Sequence, residues 1–148
     1  MKKFTFSLER LLSYKEQVFE AELTALAEMR ALLASLEEEL ERLRAEGAQR
    51  AAEFRAKAQR GIPVAEAQSH KRYMTMLDAA IAQQQQQIEM QRQAAERQAE
   101  KVRQAKIEIS AMEKLRERKL EEHNQGAAKA EEVFIDEFVA NAKVAVNK

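Results

Sequence analysis

The apolar residues in the first half of this chain recur at heptad spacing and predict one long helix. Two interleaved rows, stepping by seven, together form the alternating apolar positions of a coiled-coil seam, the line along which two helices meet. One row is Leu12, Phe19, Leu26, Leu33, Leu40, Gly47 and Phe54, and the other is Leu8, Lys15, Glu22, Met29, Leu36, Leu43 and Arg50. Leu11, Val18, Ala25 and Leu32 widen the stripe on one flank. Ser7 is a candidate N-cap, so the helix is expected over about residues 7–59.

The second half repeats the pattern, with glutamine at several seam positions. Its rows are Met74, Ile81, Ile88, Ala95, Val102 and Ile109, and Leu77, Gln84, Gln91, Gln98, Ala105 and Met112. The glutamine run 83–87 keeps the heptad phase, and glutamine forms helices readily. We therefore interpret the run as helix rather than disordered insert, within a second helix over 64–120. We call Gln84, Gln91 and Gln98 the glutamine row.

A single turn signal separates the two patterns. Gly61 suits the position after a helix, and Pro63 suits the first turn of the next one. Such a short connection makes the helices antiparallel neighbours, with residue i opposite about residue 123 − i. The predicted fold is all-α: a long antiparallel two-helix coiled-coil hairpin over residues 1–120, turning near 61–63, followed by a short C-terminal amphipathic helix.

Residues 121–148 are predicted to form an acidic, amphipathic extension beyond the hairpin, free to be mobile. They contain six acidic and three basic residues. Phe134, Ile135, Phe138 and Val139 fall on one side of a helix. Gly126 either breaks or only loosens the helix that leads into this segment.

Composition and charge fit an elongated helical protein and argue against several partners. Charged residues make up 34% of the chain and aromatic residues 5%, with three glycines and one proline. The 25 basic and 25 acidic residues cancel, and the basic stretch 114–119 lacks interleaved aromatics, so we expect no nucleic-acid partner. No window approaches the roughly 20 apolar residues that a spanning helix needs.

No catalytic arrangement is recognisable in the sequence. His70 and His123 fall at opposite ends of the second helix, and we expect both to be solvated. The carboxylates fall at helical salt-bridge spacings. We therefore expect a protein that is not an enzyme and has no metal, no cofactor and no small-molecule substrate.

A short stripe just past the turn leaves two interpretations open. Tyr73, Leu77 and Ala80 lie at i, i+4 and i+7 of the second helix, opposite Glu46 and Arg50. Either Tyr73 folds over the seam and caps it near the turn, or the stripe is an exposed docking face for another protein.

Taken together, these features resemble the FliJ family, the coiled-coil component of the bacterial flagellar type III export apparatus. The resemblance is carried by an N-terminal pattern, by the turn near residue 61 and by Asp136-Glu137-Phe138 near the end. The N-terminal pattern consists of Phe6, Leu8, Leu11, Leu12 and Lys15. The resemblance implies a non-catalytic stalk or adaptor, similar to the central stalk of rotary ATPases. Its implied partners are the hexameric export ATPase, the cytoplasmic part of the export gate, and export chaperones that it helps to recycle. It would be cytoplasmic, at the inner face of the cell membrane at the flagellar base.

The resemblance also implies where those partners bind. The export gate would contact Tyr73, Leu77, Ala80, Gln84 and Leu43. The open end of the hairpin would enter the ATPase ring, through Leu8, Leu12, Lys15, Arg116 and Lys119. Other functions stay open: an injectisome stalk of similar architecture, a general holdase chaperone gripping cargo between its helices, or a membrane-surface protein that uses its amphipathic tail.

Overall fold

The computed structural model describes residues 2–146, and over that range it consists of two α-helices without a strand. Helix α1 spans Glu9–Arg60 and helix α2 spans Val64–Val146. The two helices pack against each other, which confirms the predicted all-α hairpin. The predicted register also holds, because the ion pairs Lys57–Glu66 and Lys15–Glu108 both join residue i to residue 123 − i.

The connection between the helices follows the turn chemistry in the sequence. Gly61 takes a φ of 85°, which side chains other than glycine rarely adopt, and its N–H donates to the Ala58 carbonyl at 3.1 Å. The Pro63 carbonyl then accepts the N–H groups of Glu66 and Ala67, which opens α2.

Helix α1 begins at Glu9, two residues later than the sequence indicated. The N–H of Glu9 donates to the carbonyl of Phe6 at 3.1 Å, which closes a turn over residues 7–8. Regular α-helical bonding follows from the Leu8 carbonyl, which accepts the N–H of Leu12 at 2.8 Å.

The C-terminal segment is helical, but it is not a separate helix. Helix α2 continues through Gly126 as far as Val146. Glycine costs only about 1 kcal/mol relative to alanine inside a helix, which favourable residues on both sides outweigh. The division into a hairpin over 1–120 and a mobile extension stays a prediction.

The chain divides into two compact units, each built from parts of both helices. The turn unit comprises residues 21–102, and the terminal unit comprises residues 2–20 and 103–146 of the described chain.

In the turn unit, the predicted heptad rows form most of the seam, although the row member Arg50 is exposed and Ala99, outside the rows, is buried. Its buried hydrophobic side chains are Leu26, Leu40, Leu77, Ile88, Ala95 and Ala99. Gly47 is also buried, and a Cβ there would lie 3.1 Å from Cδ2 of Leu77. The glycine therefore leaves the space that the Leu77 side chain fills. Outside the rows, Ala25 is half-buried but Leu32 is 50% exposed, so only part of the predicted flank widens the stripe in this unit.

In the terminal unit, two buried side chains fill the seam and ion pairs lie beside it. Leu12 and Ile109 are almost fully buried. Nζ of Lys15 lies 2.7 Å from the Glu108 carboxylate, and Nε of Arg116 lies 2.9 Å from the Glu9 carboxylate.

Candidate functional site

The glutamine row links α2 to α1 by hydrogen bonds between side-chain amides and main-chain carbonyls. Each amide nitrogen donates to a carbonyl oxygen of α1, and the acceptors are themselves seven residues apart. The pairs are Gln84 to Leu36 at 2.9 Å, Gln91 to Met29 at 3.2 Å and Gln98 to Glu22 at 3.0 Å. Gln98 also donates to the Glu22 carboxylate. A carbonyl has two lone pairs, so these acceptors can keep their own helical bonds.

These bonds satisfy polar groups that lie inside a seam. Gln98 is only 5% exposed, and no buried side-chain nitrogen or oxygen in the described residues lacks a hydrogen-bond partner. Because a displaced amide would lose its carbonyl, the row disfavours shifts of one helix along the other by less than a heptad.

The five residues predicted to bind the export gate all lie in the turn unit, and most of them serve its packing. Leu77 is buried, Leu43 is half-buried, and Gln84 donates to the Leu36 carbonyl. Only Ala80 is exposed, and Tyr73 is half-buried. Four of the five residues follow one line along α2 and Leu43 lies on α1, and a partner could reach chiefly Ala80 and the outer edge of Tyr73.

Tyr73 is held by two charged side chains of α1. Its hydroxyl donates to the Glu46 carboxylate, and the Arg50 guanidinium lies 5.2 Å from the ring centroid. The hydrogen bond to Glu46 raises the pKa of Tyr73 above 10.0, because it favours the neutral phenol; burial and the Glu46 charge act in the same direction, and Arg50 opposes them. Of the two interpretations, these contacts favour the cap over the fully exposed docking residue.

The five residues predicted to bind the ATPase ring lie together in the terminal unit. Leu12 is buried, and Lys15 and Arg116 are half-buried in their ion pairs with α2 and α1. Leu8 is 37% exposed, and Lys119 is exposed with its Nζ 3.6 Å from the Glu122 carboxylate. Leu8 and Lys119 are thus the members of this set that a partner could reach most easily.

Both histidines have environments that the sequence analysis missed. His70 stacks face to face on Phe54, with ring centroids 4.0 Å apart, and His123 lies 5.6 Å from the ring of Phe4. Both are half-buried, so the expectation of solvated histidines was wrong. The sequence could have predicted the contact of His70, because the register that places residue i opposite residue 123 − i puts His70 next to the position facing Phe54. No such prediction was available for His123, whose partner lies before the helix.

The end of α2 presents the largest exposed apolar side chains of the protein. Every residue from 128 to 146 is exposed, and Phe134 and Phe138 are each 67% exposed. The amphipathic character predicted for this segment is therefore visible as an apolar side open to solvent.

Residues 2–146 contain neither a cluster of metal-ligand side chains nor a membrane-spanning helix. No group of three or more histidine, aspartate or glutamate side chains in this range could hold a metal ion. No helix in the same range is both long and apolar enough to cross a membrane.

Comparison with known proteins gives one match that spans both helices. The family described as "Flagellar FliJ protein" matches residues 4–145. No curated protein and no solved structure matches the chain significantly. The matched range runs from the residues before α1 almost to the end of α2, so it includes the seam, the turn and the exposed end of α2. The chain belongs to the FliJ family of flagellar proteins.

Proposed function

We propose that this protein is a non-catalytic adaptor of the flagellar type III export apparatus, coupling the hexameric export ATPase to the cytoplasmic part of the export gate. The observation that carries the proposal is the family match over residues 4–145, which covers the whole hairpin and not one coiled-coil segment. We also propose that the adaptor works at the cytoplasmic face of the membrane and helps to recycle export chaperones.

On this proposal, the export gate docks on the turn unit at Ala80 and the outer edge of Tyr73. Leu77, Gln84 and Leu43 hold the two helices beneath that surface. The surface is suited to burial because residues 79–88 carry no charge in a chain that is one third charged. A partner that covers Ala80 and its uncharged neighbours avoids the cost of desolvating an ion there.

The ATPase ring would meet the terminal unit. Leu8 and Lys119 supply contacts that a ring could reach, while Leu12, Lys15 and Arg116 keep α1 and α2 paired behind them. The basic side chains Lys114 and Arg118 are exposed on the same part of α2 and would attract acidic groups lining a ring.

Two alternative functions fit the observations less well. The matched family is described as flagellar, which favours a flagellar role over an injectisome stalk. A holdase that grips cargo between its helices needs a seam that opens. Three amide-to-carbonyl bonds cross the seam of the turn unit, and separating the helices would break all of them.

The proposal is tested with two alanine variants of the full chain. Ala80 and Ala82 are both exposed on α2, but two residues turn the helix by about 200°, so they face opposite ways. We expect the wild-type chain to bind the cytoplasmic part of the gate and to raise the ATPase rate of the export ring. Ala80→Glu should weaken gate binding by on the order of tenfold, because it places a charge in an uncharged contact. Ala82→Glu should bind normally.

Ring stimulation should be unchanged in both variants, which shows that they remain folded and active. A wild-type chain that neither binds the gate nor stimulates the ring contradicts the proposed function. Equal gate binding by both variants would leave the adaptor role intact and remove Ala80 from the docking face.

A further inference from the structure

The large apolar side chains at the end of α2 are more exposed than most of those in the rest of the chain. Four of the six phenylalanines are half-buried against other side chains, whereas Phe134 and Phe138 are 67% exposed. Ile135 and Val139, beside them, are 52% and 46% exposed. We call residues 131–146 the tail segment. Leaving two phenylalanines in water over four helical turns is unfavourable unless another surface covers them.

The apolar side of the tail segment is a seam of its own. Ile135 and Ala142 are seven residues apart, as are Phe138 and Ala145, and the two pairs interleave at a spacing of three and four. This is the spacing of the a and d positions through which one helix packs on another. The expected occupant is therefore a second helix.

Side-chain size changes along that seam. The large side chains Phe134, Ile135 and Phe138 lie in its first half, and the small side chains Ala142 and Ala145 lie in its second half. Close packing places large side chains opposite small ones. A second helix with the same sequence meets this condition if it runs antiparallel, because each large half then lies against a small half.

Charge changes along the segment in the same way. Residues 131–137 carry four acidic side chains and no basic one, whereas residues 138–146 carry Lys143 and no acidic one. Antiparallel pairing with a second copy sets the acidic half of each helix against the basic half of the other. Parallel pairing would set acid against acid, which is unfavourable.

We propose that the tail segment pairs antiparallel with the tail segment of a second copy of this chain. Phe138 of each copy packs on Ala142 of the other, and Ile135 packs on Ala145. Such an interface is isologous, so every contact occurs twice. The pairing does not rest on the export role proposed above.

The test uses the full chain in sedimentation equilibrium over a wide range of concentration. We expect the apparent mass to rise with concentration from 17.0 kDa towards twice that value. Phe138→Asp should weaken self-association by on the order of 30-fold or more, because it places a charge at the centre of the apolar contact. Met90→Asp is the matched control, since Met90 is an equally exposed apolar residue of α2, and it should associate like the wild type.

A size exchange then tests the orientation. Phe138→Ala removes the large side chain from each contact, and Ala142→Phe sets phenylalanine against phenylalanine, so each should weaken association. The double variant should recover most of the loss, since it restores both contacts with the two sizes exchanged. Stronger association of Ala142→Phe alone would indicate parallel pairing and overturn the proposal. A wild-type chain that stays at 17.0 kDa at every concentration would also overturn the proposal. The same holds if this monomer binds anionic vesicles through Phe138.

Discussion

Tyr73 is the residue at which packing and the proposed gate contact meet. Its hydroxyl and one ring face contact Glu46 and Arg50 of α1, yet part of the side chain remains open to solvent. Removing the whole ring would therefore disturb both the seam and the docking surface. Removing the hydroxyl alone separates the two roles, because the ring and its exposed edge stay in place.

Tyr73→Phe should lower the melting temperature near neutral pH, and the difference from the wild type should vanish in strong alkali. The neutral phenol donates to Glu46, so the folded-state pKa lies above the ordinary 10.0. The stabilisation from this bond is fully present below pH 10.0 and is lost as the pH rises through the raised pKa. Thermal melts by circular dichroism across this range measure the difference.

Tyr14→Phe is the control for the loss of a phenol hydroxyl. Tyr14 is 62% exposed, so its variant should lower the melting temperature less at neutral pH. A difference between wild type and Tyr73→Phe that persists unchanged in strong alkali would mean that the bond to Glu46 contributes nothing to stability.

The two helices and their packing could be predicted because apolar residues at heptad spacing mark the side of each helix that is buried. The rows starting at Leu12 and Met74 are buried or half-buried at every position, and the turn lies at Gly61 to Pro63 as predicted. The sequence did not reveal that α2 continues through Gly126. One glycine costs a helix little free energy, so whether the helix continues depends on the residues around it. The sequence placed Gln84 on the seam, but it could not show the carbonyl that its amide reaches, because the glutamine run looks uniform.

The same limit applies to the docking residues. The spacing of Tyr73, Leu77 and Ala80 fixes their common side of α2 but not their depth. Depth depends on the facing helix, where Gly47 admits the Leu77 side chain and Glu46 meets Tyr73. Sequence reasoning therefore identified the line of residues and could not divide it into packed and reachable members.

Replacing Gln84, Gln91 and Gln98 together by Leu should raise the melting temperature. Each substitution adds apolar contact area at the seam, and the carbonyl that loses the amide can keep its own helical bond. The gain should come with weaker specification of helix alignment, seen as broader melting or self-association. Calorimetry and sedimentation measure the two effects. A lower melting temperature with an unchanged mass would show that the amide bonds outweigh the apolar area.

For its length, the chain buries few hydrophobic side chains when it folds. Eight hydrophobic side chains are buried among the described residues, and none of them is completely enclosed. Three of the eight, including Leu26, lie in α1. The cross-helix ion pairs between Lys15 and Glu108 and between Arg116 and Glu9 are largely exposed and add little, since such pairs contribute about 0 to 1 kcal/mol each. Stability therefore depends on a few seam residues.

A single charge in the seam should therefore destabilise the entire protein. Leu26 is 6% exposed, and Leu26→Asp both removes its apolar contacts and buries a carboxylate, at a cost of about 3 kcal/mol or more. That cost is a large part of the 5 to 15 kcal/mol typical of a folded domain, and it should lower the melting temperature by about 10 °C or more. Leu32→Asp makes the same chemical change six residues away, at a side chain that is 50% exposed. It should lower the melting temperature by no more than about 2 °C. Equal melting temperatures for the two variants, measured by circular dichroism, would show that Leu26 does not lie in the seam between α1 and α2.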